Sequence, residues 1–386
     1  MNNARVNLIN AEGPFTEERL KTELTNNISA IGAKHFWEQG WTGKDVVIAI
    51  LDTGCNYHHL DLKERIIGRY NFTNESNGDV TKIEDYNGHG THVAGIIAAT
   101  LNGNGIVGVA PNANLLILKV LNHKGSGTTE SLVKAIDYAV NWIGPNNEKV
   151  NILSLSLGLS SSNEILHNAI KQALDNDIAV VVASGNEGDG DLSTDEYSYP
   201  AGYEEVIAVG AIDTNFALAS FSNTNKEVDI YAPGIDIKST YLKDNFESLS
   251  GTSMAAPHVS GALALLINKY ENLNKKKPTE QELFDYLMQH TTKVKVGDYG
   301  QTISILNLAL DVNLEDETND NFEEDTLDKS LLLKCFCEAR KTQAFFTQCL
   351  SEQSSEKERE FLISLIKESA STASYIKMCA KECDYL

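Results

Sequence analysis

Five short runs of β-branched and apolar residues recur between residues 45 and 235, separated by stretches of helical periodicity, and this alternation restricts the fold more than any other feature of the chain. The runs are VVIAILDTG (46–54), LLILKVL (115–121), NILSLSLG (151–158), AVVVASGN (179–186) and VIAVGAI (206–212). A strand with one wet face alternates polar and apolar residues, whereas a strand apolar on both faces belongs inside a parallel sheet covered on both sides. Between the runs, segments 90–101, 128–143 and 163–177 carry apolar residues at helical spacing, as in the stripe Leu132, Ile136, Ala139 and Val140. Such repetition predicts an α/β fold, a doubly wound, mostly parallel sheet flanked by helices. Ligands of such sheets bind beyond the carboxyl ends of the strands, so polar residues just after the apolar runs are the first candidates for chemistry.

With 386 residues the chain is long enough for one large domain and a smaller appendage. Residues 311–328 contain nine acidic and no basic residues and lack apolar periodicity, which marks a solvated linker. The expected organisation is an N-terminal extension (1–22), a main domain (23–312), an acidic linker (313–328) and a small helical, cysteine-containing C-terminal region (329–386). About 55 residues rarely support a core unaided, so this region is expected to dock on the main domain, pair with another copy, bind a protein partner or be stapled through its cysteines. In it, Cys335 and Cys337 form a CxC and Cys379 and Cys383 a CxxxC, which could bring four sulfurs to zinc; buried thiols and disulfides are the alternatives.

The formal charge of -22, from 54 acidic and 32 basic residues, disfavours nucleic acid and anionic membranes as partners and is compatible with a bound cation. The first 20 residues lack a signal-peptide pattern and no run of about 20 apolar residues occurs, so a cytoplasmic location is expected.

Three segments carry a nucleophilic constellation. In Ile50-Leu51-Asp52-Thr53-Gly54 an apolar strand ends in a carboxylate. In Asn87-Gly88-His89-Gly90-Thr91-His92-Val93-Ala94-Gly95 glycines surround a histidine at a predicted helix start. In Gly251-Thr252-Ser253-Met254-Ala255-Ala256-Pro257 a serine opens an apolar helix, and Pro257 is expected to fall where helical N–H groups lack partners. A serine hydroxyl is a poor nucleophile near neutrality. It needs a base in hydrogen-bond reach, and that base needs a third group to fix its tautomer. Singly, an Asp after a strand or a Ser before a helix is an ordinary cap; jointly and in this order they are not.

These segments resemble the signature of the subtilisin family, and the resemblance covers roughly residues 40–310. It implies a serine endopeptidase in which Asp52 orients, His89 acts as general base and Ser253 attacks, with Asn186 and the Ser253 N–H as oxyanion donors. It also implies that Gly125-Ser126-Gly127 and Ser156-Leu157-Gly158 hold a polypeptide substrate as an added strand, and that Ala183, Ser184, Gly185 and the Tyr199-Pro200 turn wall the pocket for the side chain before the cleaved bond. A structural calcium ion would fall to Asp61, the Asn102 amide and the carbonyls of Thr100, Asn104 and Ile106, a set of hard oxygens. A scaffold that keeps this fold while its tail does the work is the competing reading.

Asp52-Thr53-Gly54-Cys55, the run 186–191 and the acidic balance are closest to the intracellular branch, concerned with protein processing or degradation. Members of that branch carry a Leu-Ile-Pro-Tyr motif across their own active site; here the matching stretch is Val6-Asn7-Leu8-Ile9-Asn10, without proline. His92 and His258 are assigned to packing, His58 and His59 to the surface, and Cys55 to packing with a redox-sensitive thiol as the alternative. Gly103-Asn104-Gly105-Ile106-Val107-Gly108 spells a dinucleotide pattern but follows a helix and precedes a strand, the reverse of the required context.

Overall fold

The computed structural model describes residues 17–296 and 301–310. The N-terminal stretch with its Val6 to Asn10 motif, the acidic linker and the cysteine-bearing region with its zinc proposal lie outside the described residues. The helices are α1 (Glu17–Glu23), α2 (Asn26–Ala30), α3 (Ala33–Glu38), α4 (His89–Ala98), α5 (Thr129–Asn141), α6 (Glu164–Leu174), α7 (Thr252–Asn274) and α8 (Glu280–Gln289). The strands are β1 (Val47–Asp52), β2 (Ile66–Asn71), β3 (Asn114–Lys119), β4 (Ile152–Leu155), β5 (Ala179–Ala183), β6 (Ile207–Ile212), β7 (Val228–Pro233), β8 (Ile237–Thr240), β9 (Phe246–Leu249), β10 (Thr291–Val296) and β11 (Gln301–Leu306).

Nine strands form one sheet in the order β10-β11-β7-β6-β5-β4-β1-β3-β2, parallel except for the antiparallel β10–β11 pair at one edge. All five apolar runs are strands of this sheet, and β1, β5 and β6 are buried along their whole length. Val47, Ala49 and Leu51 face a core shared with Leu132, Ile136 and Ala139 of α5 and Leu166 and Ile170 of α6. By strand alternation, Ile48 and Ile50 face the other side, where α7 packs along β1 and β4 to β7 and against α4. The sheet is therefore a doubly wound α/β sheet, as the sequence periodicity predicts.

Strand β1 has β3 on one side and β4 on the other, in parallel register. The chain reverses its direction of travel across the sheet here, so the helices leave on opposite sides and a crevice opens beyond the carboxyl ends of β1, β3 and β4. Strands β7 to β11 escape the sequence reading because they follow the last continuous apolar run. In β10 (TTKVKV) no residue is fully buried, so little apolar signal marks it. Strands β8 and β9 form a separate antiparallel hairpin.

The β6–β7 ladder shifts register between Ala208 and Val209, and there the Asp229 carboxylate accepts the Ala208 N–H at 2.9 Å in place of a strand partner. Burial, helped by Glu227, pushes the Asp229 carboxyl up from 3.8 to about 7, against the pull of that N–H. The folded state then binds more protons than the unfolded chain between 3.8 and about 7, so this group's contribution to stability falls as pH rises through that window. Asp229→Asn keeps an acceptor for Ala208 without the charge. It is expected to flatten the decline across that window and to raise Tm at pH 8 by about 2 to 4 °C, roughly 1 kcal/mol after solvent screening; thermal melts across pH with an unchanged slope would contradict this.

Candidate active site

Asp52 is the last residue of β1 and almost fully buried, with its side chain 1% exposed. Its Oδ1 accepts the Thr53 N–H at 2.6 Å, and its two oxygens lie 2.8 and 2.9 Å from His89 Nδ1. The carboxylate therefore fixes the tautomer: Nδ1 carries the proton and Nε2 is left as acceptor, the form a general base requires. Burial opposes protonation of His89, but the charge and hydrogen bond of Asp52, with the more distant charge of Asp85, raise its pKa above the ordinary imidazole value of 6.5.

His89 opens α4, where helical N–H groups lack intrahelical acceptors. Asp85, which the sequence reading passed over, supplies them. Its Oδ1 accepts from Asn87 N, Gly88 N and Thr53 Oγ1, and its Oδ2 from Thr91 N and Thr91 Oγ1, at 2.7 to 3.0 Å. Thr53 Oγ1 in turn accepts the Gly90 N–H at 2.9 Å, stitching β1 to α4. An acidic residue just ahead of a predicted helix start was the available signal. Gly88 has φ of 103°, and a Cβ there would stand 2.3 Å from the Tyr241 ring, so a side chain is excluded.

Ser253 lies in the first turn of α7, whose exposed N–H groups suit an anion. Asn186 Oδ1 accepts both Thr252 N (2.9 Å) and Thr252 Oγ1 (3.0 Å), which fixes the amide so that its NH₂ remains as donor. Pro257 is the sixth residue of α7 and not in the orphan first turn, a correction to the sequence expectation. Lacking an N–H, it frees the Ser253 carbonyl, which accepts the Ser156 hydroxyl at 2.9 Å and ties the serine's helix to the segment after β4. The Ser253 hydroxyl reaches the Ser156 carbonyl at 3.5 Å, and its hydrogen bond here goes to that group and not to His89. Rotation about its χ1 redirects the hydroxyl within the cleft, and such links commonly tighten only on substrate binding.

Two adjoining cavities share Leu157, Gly158 and Leu159. One of about 460 Å³ is lined by His89, Gly125, Ser126, Gly127 and Ser156; the other, about 270 Å³, by Ala183, Gly185, Asn186, Tyr197, Ser198 and Ser253. The cleft thus gathers the two glycine-bearing segments and the Asp52, His89, Ser253 and Asn186 neighbourhood. Ser184 differs from expectation: it is fully buried behind the wall, with its hydroxyl 3.3 Å from Asn223 O, because side chains alternate along the strand end. Tyr197 and Ser198, rather than the Tyr199-Pro200 turn, supply that side of the smaller cavity.

The remaining histidines separate by burial. His92 and His258 are fully buried, and burial lowers both pKa values to about 4. His92 Nε2 lies between Ile237 O and Glu247 O, and His258 bridges Met254 O and Asn27, so both are packing residues. His58 is exposed, but His59 is buried, contrary to the surface expectation, with Nδ1 accepting the Asp61 N–H at 3.2 Å. Cys55 is fully buried, and burial, with the Asp85 charge, raises its thiol pKa well above 9.0, which fits the packing assignment.

Asp61 is fully buried; Oδ1 accepts the Asn102 amide at 2.8 Å, while Oδ2 has no donor in hydrogen-bonding geometry. Burial holds its carboxyl above the usual range. A Cβ on Gly105 would sit 2.5 Å from that free oxygen, so the loop of Thr100, Asn102, Asn104 and Ile106 closes directly on it. The Thr100 hydroxyl is likewise buried and unpaired. Glu23, absent from the sequence-based set, is buried against the same loop, accepting from Asn102 N at 3.2 Å and from Gly103 N. Orphaned oxygens and two neighbouring carboxylates fit a hard cation. Among the described residues no group of three or more His, Cys, Asp or Glu side chains is placed to hold a metal ion, so most of the ligands of a cation here would have to be amide, carbonyl or hydroxyl oxygens.

Comparison with known proteins agrees with this geometry. The sequence profile of the subtilase family, peptidase S8, matches residues 43–323. The chain is 49% identical over 276 residues to the major intracellular serine protease of Bacillus subtilis, covering 71% of this chain and 85% of that protein. It is 48% identical over 275 residues to the intracellular serine protease of Paenibacillus polymyxa (71% and 82%) and 42% identical over 247 residues to subtilisin DY of Bacillus licheniformis (64% and 85%). A buried carboxylate at a strand end, a histidine on it, a serine at a helix start and this breadth of similarity together place the chain in the subtilase family, as a subtilisin-like serine protease.

Proposed function

We propose that this chain is an endopeptidase that cleaves polypeptides through Ser253 as nucleophile, His89 as general base and Asp52 as orienter. The observation that carries the assignment is the Asp52–His89 pair, which leaves Nε2 free toward the cleft that Ser253 also lines. A peptide laid between Gly125-Ser126-Gly127 and Ser156-Leu157-Gly158 would pair by its main chain, so recognition is broad in sequence. Its carbonyl carbon is attacked as His89 takes the serine proton. The developing oxyanion receives the Asn186 NH₂ and the Ser253 N–H. The imidazolium then protonates the leaving amine, and water, deprotonated by the same base, hydrolyses the acyl-enzyme. The lining of Ala183, Gly185 and Tyr197 favours an apolar or aromatic side chain before the cleaved bond.

The site of action is proposed to be the cytoplasm, in protein processing or degradation, because the two relatives described first are named as intracellular serine proteases. A structural calcium ion is assigned to Asp61 with the carbonyls of Thr100, Asn104 and Ile106; Asn102, whose Nδ2 donates to Asp61 Oδ1 and whose Oδ1 accepts the Asn104 N–H, would join only by turning its amide over. When bound, the ion supplies charge neutralisation of the buried carboxylates, a contribution to stability and not to the chemical step.

Ser253→Ala is expected to abolish peptide hydrolysis and labelling by a fluorophosphonate. A loss on the order of 10⁶ in kcat is the known cost of this change in a subtilisin, a benchmark rather than a value drawn from this geometry. Persistent activity or labelling elsewhere would overturn the assignment.

Because His89 must be neutral to act, and its pKa is raised, activity should fall on the acid side through a midpoint above 6.5. Asp52→Asn should move that midpoint down and reduce kcat by roughly 10⁴ through loss of the correct tautomer. A pH profile unmoved by the substitution would exclude Asp52 as the orienter.

Calcium in excess over a chelator is expected to raise Tm of the wild-type protein, with the shift abolished in Asp61→Asn; equal shifts in both proteins would place the ion elsewhere.

A further inference from the structure

Segment 122–127, which ends in Gly125-Ser126-Gly127, has no apolar anchor: residues 123–127 are exposed, and Gly125 holds φ of 73°. A glycine-bearing strand of this kind would lose much conformational entropy on gripping a peptide unless something orders it beforehand. Asn122 closes the turn locally, its Oδ1 accepting Lys124 N and Ser126 N and its backbone N–H donating to Ser126 O, and a second set of contacts ties that turn to the sheet. Glu75 Oε1 accepts two N–H groups from His123, the backbone N–H at 2.9 Å and Nδ1–H at 2.6 Å. Its Oε2 stands 2.9 Å from the ammonium of Lys119, an ionic contact rather than a well-directed hydrogen bond.

Lys119 is fully buried and is the register partner of Asp52 in the β1–β3 ladder. Its Nζ also donates to the carbonyl of Thr53, the residue after Asp52. From the other side Asn87, whose Oδ1 accepts the His89 N–H, donates its amide to His123 O at 3.0 Å. The segment is therefore suspended from the same two pieces of backbone that carry Asp52 and His89. Burial opposes ionisation of Glu75, but His123 and Lys119 overcome it and hold the carboxyl at about 2, so the link is ionic across the neutral range. Charge-assisted bonds of this type are about twice as strong as neutral ones.

We propose that Glu75 is a positioning residue for substrate recognition: through His123 and buried Lys119 it fixes the Gly125–Gly127 strand relative to Asp52, so that peptides extending several residues to the amino side of the cleaved bond are gripped by a preordered edge. The proposal rests on the reading of residues 125–127 as a substrate strand. Neither Glu75 nor His123 touches the reacting atoms.

The test compares His123→Ala and Glu75→Gln with the wild type on two substrates sharing one aromatic residue before the cleaved bond: a blocked tetrapeptide anilide and a blocked single-residue ester. The expected result is a KM for the tetrapeptide raised by about fivefold to tenfold, less than the full worth of one charge-assisted hydrogen bond because the segment can still order on binding, with kcat within about twofold and the ester little affected. Amide hydrogen exchange in residues 122–127 should quicken in both variants. A merely structural role would instead lower kcat and Tm for both substrates alike. Should Glu75→Gln fail to fold because Lys119 is left unpaired, His123→Ala decides alone. If the wild type prefers the tetrapeptide and His123→Ala leaves both that preference and the exchange unchanged, Glu75 has no such role; if the wild type shows no preference, the substrate-strand reading itself fails.

Discussion

A carboxylate buried at the carboxyl end of a central strand is the constraint around which this site is organised. Removing Asp52 from water would be costly without compensation, and the Thr53 N–H and the His89 Nδ1–H supply it. Asp85 repeats the solution one layer away, with five donors drawn from Thr53 just after β1, the turn before α4 and α4 itself. Two anions thus hold one imidazole in place and raise its proton affinity, while the helix start they satisfy is the element that presents it. The geometry needed for catalysis and the pairing needed for stability are the same hydrogen bonds.

The serine side is built on the complementary principle, with donors left open. Thr252 occupies the Asn186 oxygen and so leaves the amide NH₂ as an open donor, while the first turn of α7 leaves the Ser253 N–H without an intrahelical acceptor. Pro257 contributes by omission. The carbonyl it leaves free is taken by Ser156, which ties Ser253 to the segment after β4. Negative charge is concentrated where a proton must be attracted, and unfilled donors where negative charge must develop.

Much of this was legible in the chain. Short β-branched apolar runs without alternation read as strands covered on both faces, and that inference led to the parallel sheet, to Asp52 at the end of β1 and to Asn186 just beyond β5. Less legible were features that depend on the approach of distant segments. Asp85 reads as an unremarkable acidic residue until the turn at Thr53 folds over it, and Glu23 and Glu75 read as solvated charges until buried partners are placed beside them. His59 and Ser184 were misplaced for a related reason: local pattern says little about which side of a loop or strand end faces inward.

The fold class, the order of Asp52, His89 and Ser253 and the junctions at which they sit are local properties, written in consecutive positions as periodicity, glycine placement and residue chemistry. Which nitrogen of His89 carries the proton, which atom of Asn186 is left as donor and which charges share a buried network emerge only in three dimensions, because they depend on distances between segments up to about two hundred residues apart, from Asp52 to Ser253, which packing alone brings together.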